Sequence, residues 1–131
     1  MHVLPNIESL YLNLPNGSCF RDLSIISSLR ELRIHVTRAA TFTREELLAL
    51  RALHRLQLLH VTGGAGHFLE LKALDFTDSD FDLMVSGLSE LREFTFHIYW
   101  EPRPLSMVKS LSHHCPKLEQ VEIHGEYDLQ A

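Results

Sequence analysis

Histidine is the residue type with the most chemical potential in this chain, at nine of 131 residues. His35, His60, His97 and His124 each stand in a run where apolar and polar residues alternate, and His113-His114-Cys115 form a contiguous trio. Imidazole titrates near pH 6.5 and ligates zinc, so two rings about 5 Å apart can share a metal or respond to pH. A zinc site needs three or four ligands and an outer set of hydrogen-bond partners. No third ligand can be assigned to His97 and His124, which therefore read as surface histidines. Cys115, just ahead of Pro116-Lys117-Leu118, reads as a small buried side chain. No metal and no cofactor are expected.

Other chemical signatures are equally thin. There is no Gly-x-Ser-x-Gly, His-Glu-x-x-His or Gly-x-x-x-x-Gly-Lys-Ser/Thr. Gly63-Gly64-Ala65-Gly66 lacks the Lys-Ser/Thr of a phosphate cradle and reads as a turn. Asp75, Asp78, Asp80 and Asp82 crowd together, but a calcium loop would need a Gly and a distal Glu, and a helix start explains them better. The chain is expected not to be an enzyme. Twelve Lys+Arg against 17 Asp+Glu give a net charge of −5, which speaks against nucleic acid as partner. No stretch approaches the roughly 20 apolar residues of a membrane span. Two cysteines, Cys19 and Cys115, and an N-terminus without signal-peptide character suit a cytoplasmic or nuclear setting.

The elements that must position these residues come from a different signal. Leucine is 24 of 131 residues, and apolar-x-x-apolar-x-apolar recurs six times. The copies are Ile7/Leu10/Leu12, Leu29/Leu32/Ile34, Leu56/Leu59/Val61, Leu71/Leu74/Phe76, Leu91/Phe94/Phe96 and Leu118/Val121/Ile123. Their spacings of 22, 27, 15, 20 and 27 residues lie near leucine-rich-repeat length, the 15-residue step excepted. Either Leu71–Phe76 is a stray match within one 35-residue unit, or the glycine run is a return without a helix. Each copy ends in a short alternating run, the period-2 pattern of a half-buried strand.

The spacers carry helix signals. Thr43-Arg44-Glu45-Glu46 is a capping box ahead of Leu47, Leu50 and Leu53. Thr77-Asp78-Ser79-Asp80 starts another helix, with Phe81, Met84, Val85 and Leu88 on one side and Gly87 as its stop. Phe20, Leu23 and Ile26 mark a third helix. Leu105, Val108 and Leu111 mark a fourth, with Ser106 as cap. Strand and helix in alternation predict parallel pairing. The predicted fold is therefore α/β: a leucine-rich-repeat solenoid of five to six repeats in one domain over 1–131. Its parallel β-ladder is concave and its short helices convex.

Stacking the six runs leaves three columns of residues on the open face. The first holds Ser9, Glu31, Leu58, Ala73, Glu93 and Gln120. The central one holds Tyr11, Arg33, His60, Asp75, Thr95 and Glu122. The third holds Asn13, His35, Thr62, Thr77, His97 and His124. Such mixed polarity suits a protein surface. Tyr99-Trp100-Glu101-Pro102-Arg103-Pro104 must leave its strand, because proline continues neither element. Trp100 then either overhangs the rim as a binding anchor or folds back as a lid on the helix layer, and the anchor reading places it in the binding set. The candidate binding set is Tyr11, Arg33, His35, His60, Thr95, His97, Trp100, Glu122 and His124.

Two stretches carry a family resemblance. Thr77-Asp78-Ser79-Asp80-Phe81 through Gly87-Leu88-Ser89-Glu90-Leu91-Arg92-Glu93-Phe94 resembles the helix start and strand lead-in of fungal F-box/leucine-rich-repeat proteins. His114-Cys115-Pro116-Lys117-Leu118-Glu119-Gln120-Val121 resembles their cysteine-containing repeats. The resemblance implies an arm that holds a protein substrate for a cullin-based ubiquitin ligase. The first strand begins within a few residues of Met1, so no F-box is expected in this chain. It is expected to be a partial arm of a longer repeat protein, with end-to-end self-association open to it if its ends are uncapped. The alternatives are a histidine-based metal-binding protein and a gene fragment without independent function.

Overall fold

Apolar residues at every second position form strands here because each strand buries one side and leaves the other open. The computed structural model describes residues 7–14, 20–38, 40–63, 71–100 and 104–123. In chain order the elements are β1 (Ser9–Leu14), α1 (Phe20–Leu23), β2 (Glu31–Val36), β3 (Ala40–Phe42) and α2 (Arg44–Leu48), which runs into a 3-10 turn, Ala49–Ala52. There follow β4 (Leu58–Gly63), β5 (Leu71–Ala73), α3 (Asp78–Val85), β6 (Glu93–Phe96), β7 (Ile98–Tyr99), α4 (Pro104–His114) and β8 (Gln120–Ile123). The class is mixed α/β, with every strand pairing parallel. Among the described residues no helix is long and apolar enough to cross a membrane.

The larger sheet has the order β1-β2-β4-β6-β8. Its registers bring Leu10, Leu32, Leu59, Phe94 and Val121 into one row, and Leu12, Ile34, Val61, Phe96 and Ile123 into the next. The middle members of both rows are fully buried or nearly so. Strand spacing is enforced before each strand begins. The carbonyls of Glu8, Arg30, Gln57 and Arg92 each accept two N–H groups from the residues leading into the next strand, at 2.7–3.1 Å.

A second sheet, β3-β5-β7, lies one bend further along the chain, and its strands are only two or three residues long. The placement of Leu71–Phe76 is thereby settled. Leu71–Ala73 pairs with Ala40–Phe42 and Ile98–Tyr99, not with the larger sheet, so β4 is followed directly by β6. Ala73, Asp75 and Thr77 accordingly drop out of the predicted columns. Asp75 turns the chain out of β5 in the left-handed region at φ 55°, which aspartate tolerates better than most residues.

The helices cover the inward rows, contributing Phe20, Leu23, Leu47, Leu50, Phe81, Met84, Val85, Met107 and Leu111 to one continuous core. Acidic side chains tie each helix to the next. Glu46, expected to close a capping box on Thr43, instead accepts the Arg21 N–H of α1 at 3.3 Å. Thr43 still caps α2, its hydroxyl accepting from the Glu46 N–H at 3.2 Å. Arg44 of α2 donates to Asp80 of α3 at 2.8 Å. Asp82 of α3 accepts from Ser110 of α4 at 2.8 Å and pairs with His114 at 3.0 Å.

The phase of α4 differs from the expectation. Its buried side carries Met107, Ser110, Leu111 and then Cys115, while Leu105 and Val108 are exposed. With Met107, Leu111 and Cys115 in the core and Ser110 and His114 bonded to Asp82 of α3, helical geometry turns Leu105 and Val108 away. The helix begins at Pro104, where a missing N–H costs nothing, so Ser106 lies inside it and is not the cap.

Asp80 closes a full capping box with Thr77 and is 8 % exposed. Burial pushes its carboxyl up. The hydrogen bonds from Arg44 and from the Thr77 N–H and hydroxyl, with the Arg44 charge, outweigh that and hold it below the ordinary aspartate value. A carboxyl depressed on folding stabilises the protein above its unfolded pKa and loses that contribution as pH falls through the folded one. Asp80→Asn is therefore expected to cost about 2 kcal/mol at neutral pH. The same substitution should flatten the loss of stability below about pH 4. Urea unfolding across that range measures both effects.

Candidate functional site

Alternation sends every second residue of β1, β2, β4, β6 and β8 to the side opposite the helices. The registers align Ser9, Glu31, Leu58, Glu93 and Gln120 in one row, and Tyr11, Arg33, His60, Thr95 and Glu122 in the next. Asn13, His35 and Thr62 start a third. His97 follows the end of β6, its N–H still donating to Val61 O at 2.9 Å. His124 lies outside the described residues.

Side chains across this face are hydrogen-bonded to their neighbours. Glu31 accepts from Ser9 at 3.3 Å and from Arg33 at 3.2 Å. His35 Nδ1 lies 3.0 Å from the Thr62 hydroxyl. His97 Nε2 lies 3.2 Å from Glu122, and His60 Nε2 4.0 Å from Glu93. Burial and then the nearby Arg33 charge lower the His60 pKa below its ordinary value, against a smaller pull from Glu93 and Glu122. Tyr11 is 64 % exposed, the most exposed large hydrophobic side chain among the described outward residues of the face. Over β6 and β8 the surface dips into a depression of about 510 Å³ lined by His60, Glu93, Thr95, Glu119, Gln120, Val121 and Glu122.

Trp100 does not belong to this set. It is 7 % exposed, stacked on Phe81 at 5.0 Å and set edge-on to Phe76 and Phe96. Its indole N–H points at Asp78 Oδ1, 3.4 Å away. The aromatic body finds more apolar contact beneath α3 than on any rim, so Trp100 takes the folded-back position and is no binding anchor. Conversely, Glu93 and Glu119 now stand in the depression. The same alternation that selected Thr95 places Glu93 beside it, whereas Glu119 precedes its strand and no periodic signal singles it out.

The helix side offers a second polar group, Asp82 with Ser110 and His114, whose His113 neighbour packs edge-on against His114 at 4.6 Å. Ser110 donates to Asp82 and not to His114, so the three side chains are not in the order of a Ser-His-Asp relay. The cluster fastens α3 to α4. Among the described residues no three His, Cys, Asp or Glu side chains come together as a metal site.

Cys115 is buried with its Sγ 3.9 Å from Val85 O, and burial raises its thiol pKa to about 11. The thiolate is the reactive form, so Cys115 should be nearly inert in the folded protein. In a Cys19→Ser background, thiol labelling at neutral pH is expected to be at least about 100-fold slower folded than in denaturant.

No family model matches the sequence, and no match to it was found among curated proteins or solved structures.

Proposed function

We propose that this chain is a leucine-rich-repeat arm, a short solenoid that binds a protein partner on the open face of its larger sheet and carries out no catalysis. The observation supporting it is the one-sidedness of that sheet. Five parallel strands run in register with helices over one side, and Tyr11, Arg33, His60, Thr95 and Glu122 cross the other. Strand starts at 9, 31, 58, 93 and 120 follow the leucine spacing, with one enlarged interval. Stacked units of this kind expose a broad surface at little cost in stability, because their anchors lie on the opposite side. The resemblance to fungal F-box arms points the same way, toward a protein substrate as the partner.

The test compares capture of proteins from cell extract by wild type, by Tyr11→Ala/Arg33→Glu, and by Val108→Ser on the helix side. Partners retained by wild type and Val108→Ser but lost from the double variant support the assignment. Partners lost only from Val108→Ser would overturn it.

A further inference from the structure

The open face is not uniform in charge. Among the described outward positions of its five strands, Arg33 is the one Lys or Arg, and Glu31 holds it at 3.2 Å. Two cations ahead of the strands are turned to Glu90: Lys117 donates to it at 2.7 Å, and the charge of Arg92, which precedes Glu93 and whose carbonyl accepts the Glu119 N–H, also acts on it. Toward β6 and β8 the face becomes a depression whose polar lining is Glu93, Glu119 and Glu122 with the Thr95 hydroxyl, the Gln120 amide and the His60 ring. Burial and Arg33 both favour the uncharged form of His60, so that ring adds little positive charge near neutral pH.

Carboxylates in a recess beside a neutral imidazole offer acceptors and negative charge together. That combination complements a side chain made only of donors, such as a guanidinium or an ammonium. We propose that the β6–β8 half of the face takes a Lys- or Arg-bearing segment of the partner, its cationic side chain seated between Glu93 and Glu119. This rests on the interaction-face reading above. It adds a division of labour: Tyr11 supplies contact area at the β1 side, and the carboxylates supply charge selection at the other.

The test is fluorescence anisotropy with two labelled peptides, octa-arginine and octa-glutamate, at about 50 mM and about 150 mM salt. Wild type is compared with Glu93→Gln/Glu119→Gln and with Asp22→Asn/Glu45→Gln, a control on the helix side with the same change in net charge. Octa-arginine is expected to bind and octa-glutamate not. The face variant should weaken binding by about ten-fold and the control by no more than about two-fold. Glu119→Lys alone should weaken it as much as the face pair. Equal weakening by face and control variants would overturn the proposal, as would absence of octa-arginine binding. If octa-arginine fails while Tyr11→Ala/Arg33→Glu still loses its captured partners, the cation seat falls and the interaction face stands.

Discussion

Gly87→Ala should destabilise this protein by about 3 kcal/mol, although it adds a single methyl group in a turn. A Cβ at Gly87 would stand 2.0 Å from the Arg51 carbonyl oxygen and 2.8 Å from its carbon. Both are backbone atoms of the 3-10 turn Ala49–Ala52, so neither can rotate aside as a side-chain tip would. The turn after α3 and the 3-10 turn before β4 must separate, and His54 Nδ1, 3.2 Å from Gly87 O, loses its partner with them. Chemical denaturation should show a lower midpoint with an unchanged slope, the signature of lost stability without a change in the denatured state. A shift below about 0.5 kcal/mol would mean that this close approach does not exist.

Phe81→Ala is expected to cost about 3–5 kcal/mol. Phe81 is 1 % exposed and its ring meets Trp100, Phe94 and Phe96, so one side chain joins α3 to β6 and to the end of β7. Removing it leaves a cavity lined by aromatic rings that cannot collapse without moving a strand. Phe81→Leu, which refills most of that volume, should cost about half as much. Trp100, the sole tryptophan, reports on the same place. Its emission should be blue-shifted in the wild type and move to the red in Phe81→Ala. Unchanged emission with unchanged stability would contradict the packing described.

How much of this was legible in the sequence depends on the element. Leu32, Leu59 and Phe94 announced the larger sheet because period 2 and a spacing above 20 residues coincide at them. The β3, β5 and β7 strands are too short for any periodicity to accumulate, and Leu71/Leu74/Phe76 imitated a rung without being one. The α4 phase was misread because leucine and valine look like core. The buried line joins Met107, Leu111 and Cys115 to the core and brings Ser110 to Asp82, 28 residues away, and no local pattern encodes that distance. Trp100 was left open between rim and core for a related reason. Two prolines mark the end of a strand but carry no information on the indole, which reaches back under α3, and the loop residues 101–103 lie outside the described residues. On the open face, Tyr11, Arg33, His60, Thr95 and Glu122 followed from alternation alone. Glu119 did not, since it lines the depression from a position ahead of its strand.

The row Leu10, Leu32, Leu59, Phe94 and Val121 has one further implication. Its middle three members are sealed, Leu10 is half-covered, and Val121 is 48 % exposed. Amide hydrogens should therefore exchange at graded rates, slowest in β4 and progressively faster toward β1 and β8. Heating would peel such a ladder from its margins inward, and the centre would outlast the flanks.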